Sequence, residues 1–237
     1  MNTSPAPSPP TAPPAWGFTR AEFAHLLLLP FRGPGSLVRW LFGCAAILVP
    51  ILGWYALMGY EVRVARAALE GEPERLPGWS GPKDLAIDAF RLVAIFLVLS
   101  IPVVVLAIVL PSAQPVFGAA LWVLLPGALQ AVAADRSGEA FAISHYRRLA
   151  VHWRIYVPLL LIIGGVAFFL WAAGLLLSPV YANAPFLAIP IVFWGATVQA
   201  AAAGRAAFRM GLRAGSPIEG VLELSRQRVT GGPGAGR

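Results

Sequence analysis

Cysteine is nearly absent from this 237-residue chain: Cys44 stands alone inside an apolar run, which excludes a disulfide framework or a cysteine-based metal site within one chain. Charge is scarce as well, at 12% of residues against about 25% in soluble domains. Lysine is almost missing, because all but one of the 18 Lys+Arg are arginine. A nucleophile motif, a phosphate-binding glycine loop and a catalytic carboxylate pair are all lacking, and the terminal GGPGAG has no strand and helix around it. These gaps leave no residue set for an enzyme, and neither a catalytic site, a cofactor nor a metal is expected. The start of the chain also lacks the basic residue and short apolar core of a secretory signal, since the first cation is Arg20.

What is present is apolar surface. Hydrophobic residues make up 58% of the chain and the mean hydropathy is +0.71, so the expected fold class is all-α, a polytopic transmembrane helix bundle with interfacial amphipathic helices. The net charge of +7 comes from cations that mostly flank apolar runs, which points to membrane orientation and anionic lipid rather than nucleic acid.

Residues 1–15 hold six prolines and no charge, and are expected to stay a disordered tail. The segment 16–213 reads as the helical membrane domain and 214–237 as a polar, Gly-rich tail. Trp16 to Phe31 is too short to cross a core that needs about 20 residues, and its aromatic residues suit an interfacial helix with Arg32 and Arg39 toward the lipid surface. Between Arg39 and Glu61 lie 21 uncharged residues, interrupted by Pro50 and Gly53. A simple span is the favoured reading, giving about five spans, and a re-entrant segment bent at Pro50 and Gly53 is the other. From Arg91 to Asp135 there are 43 uncharged residues around PSAQP, and from Arg154 to Arg205 there are 50 around SPVYANAP. Each reads as two spans joined by an uncharged hairpin, the later pair at about 155–177 and 185–204. The other connections are rich in arginine and are expected on the cytoplasmic side of a cell membrane.

Gly59 to Trp79 is the long charged interruption. Val62, Ala65 and Leu69 fall on one helical stripe and Arg63, Arg66 and Glu70 on another, which predicts a helix lying on the membrane surface. A second such stripe, Ala142, Tyr146, Leu149 and Trp153, runs through Gly138 to Arg154. His145 and His152 share a face there, separated by about 10 Å of rise, too far to chelate one metal ion together. Asp88 is spaced to pair with Arg91 at the start of the second apolar run. Gln130 and Gln199 are expected to bond neighbouring helices or to line a path. Ala196, Ala200 and Gly204 form a small-residue stripe that permits close helix approach, within the bundle or to another copy.

The order GYEVRVARAALEG, then LPGW, then KDLAIDAFRL leading into an apolar run, resembles the prokaryotic membrane family known as domain of unknown function 4013. The pattern rests on Gly59, Tyr60, Arg63, Leu76, Pro77 and Trp79, and SGEAFAISHYRRL is similar to the family's second charged segment. The resemblance implies a polytopic helical membrane protein and no particular chemistry. The function expected on these grounds is a non-enzymatic inner-membrane scaffold or accessory protein acting through its cytoplasmic segments, with a protein partner or homo-oligomer left open. The alternative is a permease component for an apolar or lipid-like substrate.

Overall fold

The computed structural model describes residues 17–49, 51–71, 75–178 and 185–212; the two predicted tails and most of SPVYANAP lie outside them. The described elements are helical. They run as α1 (Arg20–Leu28), α2 (Ser36–Ile47), α3 (Leu52–Glu70), α4 (Pro82–Val109), α5 (Gln114–Ala133), α6 (Ile143–Val151), α7 (Trp153–Leu176) and α8 (Ile189–Arg209), with short 3-10 turns between several of them. Four segments, Pro82–Val109, Gln114–Ala133, Trp153–Leu176 and Phe186–Arg209, are long and apolar enough to cross a membrane.

The favoured span between Arg39 and Glu61 is not formed. α2 has 12 residues, about 18 Å of rise, short of a core of about 30 Å. The chain then reverses: Ile51 has φ 64°, a sparsely populated region for a β-branched residue. Gly53 at the start of α3 lies so close to α2 that a Cβ would strike the Ala46 carbonyl. Farther along, the Trp79 indole donates to the Arg39 carbonyl (3.0 Å) and stacks on Tyr60 of α3, which puts Arg39 and Tyr60 at one level. α2 and α3 therefore form an antiparallel helical hairpin with Arg39 and Tyr60 at the same end. The reversal fits the alternative re-entrant reading, and among the described residues four helices, not five, are long and apolar enough to span; Pro50 itself lies outside the described residues.

The expectation of a surface helix at Gly59 to Gly71 also fails. Tyr60, Val62, Val64, Ala65, Ala68 and Leu69 are all buried, because α3 packs against α2, α4, α5 and α8 at once. Two glycines permit this. A Cβ on Gly59 would run into the Leu85 carbonyl of α4, and one on Gly204 into the Ala65 carbonyl of α3. The Ala196, Ala200, Gly204 stripe thus serves packing inside the chain, with Ala200 and Gly204 buried and Ala196 at the margin.

α1 is fixed at the far end of α8. Thr19 and Glu22 form a capping box, and Glu22 also receives the Arg205 (3.1 Å) and Arg209 guanidinium groups. Burial disfavours the Glu22 carboxylate, but the Thr19 hydrogen bonds and Arg209 outweigh it and hold its pKa below the ordinary value. Both ends of the described chain therefore meet on the arginine-rich face.

Candidate functional site

The upper half of α3 is held by polar groups that turn inward. The Tyr60 hydroxyl donates to the Pro77 carbonyl (2.9 Å), and its ring lies 4.0 Å from that of Trp79 and parallel to it. Arg63 donates to the carbonyls of Gly78 (2.8 Å) and Ser80, and Arg39 to that of Leu76. The Leu76 amide donates to the Ser36 hydroxyl (3.1 Å). These bonds draw the LPGW segment into the bundle, where Leu76 is fully buried. The family-like residues Gly59, Tyr60, Arg63, Leu76, Pro77 and Trp79 are thus brought together, as a clamp that seats a loop on α3.

One turn farther, Arg66 makes a two-toothed pair with Asp88 (2.9 and 3.1 Å) and reaches Asp135 (3.2 Å) and the Ala133 carbonyl (3.2 Å). Asp135 also receives Arg91 (3.0 Å). The spacing expectation is met only loosely, since Asp88 and Arg91 stand 4.0 Å apart while Asp88 accepts closer bonds from Arg66. This four-residue network joins α3, α4 and the end of α5, and with the clamp it closes the bundle on the arginine-rich face.

The predicted second surface helix is split into a 3-10 turn (Ser137–Phe141) and α6. His145 packs inward against the Gly127 carbonyl (3.0 Å), and His152 bonds the Arg148 carbonyl (2.9 Å), so the two histidines serve separate places. Burial pushes the His145 imidazole below its ordinary pKa, with the nearby Arg148 and Arg136 adding to the same direction.

Below the polar closure lies a cavity of about 290 Å³ between α3, α4, α5, α7 and α8. Its wall is mostly apolar, with Leu57, Met58, Leu92, Leu125 and Ala203 among the lining residues. Its mouth is aromatic: Trp54, Phe96 and Trp122 line it and remain 52%, 39% and 39% exposed. Phe96 and Trp122 sit well inside α4 and α5, so the mouth opens on the side of the bundle. Two polar side chains reach the cavity, Glu61 from α3 and Gln199 from α8. Gln199 sits 3.5 Å from the Ile163 carbonyl. Gln130 instead donates to the Ala203 carbonyl (3.1 Å) behind the wall, which fits the expected bond between helices, and its buried carbonyl oxygen has no partner.

Sequence reasoning missed Glu61 by treating it as the edge of an uncharged run. The signal was there: Trp54, Met58 and Glu61 recur at helical spacing, so the carboxylate continues an apolar stripe. Asp135 was likewise read as a boundary. Its bridging role depends on a positive φ of 57° past the end of α5, which no spacing rule reveals. No group of three or more His, Cys, Asp or Glu side chains placed to hold a metal occurs among the described residues.

A family model described as a protein of unknown function (DUF4013) matches residues 42–211, well over half the chain. No curated protein and no solved structure matches it.

Proposed function

We propose a function for a chain that belongs to the DUF4013 family: it is a multi-pass membrane protein that takes an apolar or lipid-like ligand from the bilayer into the cavity beside α3, as a transport or accessory component. The carrying observation is a side-opening cavity with an aromatic mouth, apolar walls and two polar groups at its inner surface. Small-molecule sites have this make-up, and a mouth on apolar helices favours ligands that already partition into lipid. On this reading the arginine-rich face is cytoplasmic and the closed polar network stops the ligand from leaving there. The exposed Arg20, Arg32 and Arg147 suit anionic headgroups. A scaffold working through Arg63, Arg66 and Trp79 has less support, because all three spend their polar atoms inside the chain.

A photoactivatable long-chain alcohol in bilayers containing the protein, followed by peptide mapping, tests this. Labelling should concentrate around Trp54, Phe96 and Trp122, and Leu125→Trp, which fills the cavity, should reduce it severalfold. Labelling spread evenly over the exposed Leu97, Ile101 and Val105 of α4 would contradict the proposal.

A further inference from the structure

Glu61 is the anomaly of the cavity. It is a carboxylate on a helix packed against α2, α4, α5 and α8, and no cation of the described chain answers it. Arg63 is bound by loop carbonyls, Arg66 by Asp88 and Asp135, and Arg91 by Asp135. None of them pairs with Glu61, which makes no ion pair or hydrogen bond among the described residues. An acid without a counter-charge in an apolar surrounding is costly, and such residues mark ligand or ion sites. Five residues separate Glu61 from Arg66, about 7.5 Å along the axis, so the carboxylate lies just beneath the polar closure. Seven residues in the other direction, about 10 Å, lead to Trp54 at the mouth.

From this arrangement we propose that the cavity selects a monocationic amphiphile, an amine or quaternary ammonium on an apolar tail, with its charge at Glu61 and its tail toward Trp54 and Trp122. The inference rests on the cavity reading above and adds the charge of the ligand. Burial in the apolar wall favours the neutral acid while the cavity is empty; a cation beside it favours the charged carboxylate, with Gln199 an adjacent polar contact and the aromatic rings a surface that also attracts cations during entry. A phosphate or sulfate headgroup would find no Arg, Lys or His among the described lining residues to offset its charge.

The experiment is competition against the photoactivatable alcohol by three probes of equal chain length: decyltrimethylammonium, decanol and decyl sulfate. In the native chain the ammonium should compete at a concentration at least tenfold below decanol, and decyl sulfate should be weakest. Glu61→Gln, which keeps shape and removes charge, should abolish the ammonium advantage, so that decyltrimethylammonium and decanol compete at similar concentrations; continued labelling of the cavity by the photoactivatable alcohol reports that the variant is folded. Equal competition by the ammonium and decanol in the native chain, or an ammonium advantage that survives Glu61→Gln, would overturn the charge assignment while the cavity stands. If the alcohol itself does not concentrate at the cavity, the reading beneath it falls.

Discussion

At the scale of single residues, the clamp around α3 explains why a recognisable pattern need not be a binding surface. Tyr60 and Trp79 contribute differently, and the difference is measurable. Tyr60→Phe removes one hydroxyl bond to the Pro77 carbonyl and is expected to cost about 1 kcal/mol. Trp79→Ala removes the stacked ring and the bond to the Arg39 carbonyl and is expected to cost about 3 to 5 kcal/mol, as for other large aromatic truncations. Equilibrium unfolding in mixed detergent reads both, and equal costs would show that the loop is not held by the ring. The sequence carried these six residues as a pattern, because glycine, tyrosine, arginine and a Leu-Pro segment stand out in apolar surroundings. Their role was not legible, since the partners of Arg63 are backbone carbonyls 15 to 17 positions away, and carbonyls are present at every residue.

At the scale of helices, length and charge gaps located α4, α5, α7 and α8 well, because an apolar helix long enough to span announces itself without reference to its neighbours. α2 and α3 were harder. Twenty-one uncharged residues satisfy the length rule, and only the sharp reversal after Ile47 shows that they are shared by two antiparallel helices. The polar stripe on α3 misled for a related reason: its arginines find acceptors on α4, α5 and the loop, so periodicity reported a polar face but not that its arginines turn toward neighbouring elements. Close approach between α3 and α8 rests on Gly204. Gly204→Ala forces a Cβ against the Ala65 backbone and is expected to destabilise by about 1 to 3 kcal/mol, the cost of overpacking. Gly118→Ala, on an α5 face with open space around it, should be neutral or stabilising by about 0.5 to 1 kcal/mol. A Gly204→Ala variant as stable as Gly118→Ala would place the α3–α8 contact elsewhere.

At the scale of the whole molecule, the antiparallel α2–α3 hairpin reconciles the charge distribution with the span count. Arginines before and after the first apolar run are no longer forced onto opposite sides, and four spans return α8 to the face where α1 receives Arg205 and Arg209. The same hairpin carries Glu61 into the bundle, so the proposed ligand site depends on it. The decisive measurement is two-sided thiol labelling in sealed vesicles, on a Cys44-free chain bearing Ala21→Cys, Ser80→Cys or Ser112→Cys one at a time. The hairpin predicts that positions 21 and 80 react from the same side and position 112 from the other. Reaction of position 21 with position 112, opposite to position 80, would mean that the first apolar run crosses the membrane, and the α3-centred cavity with its carboxylate would have to be abandoned.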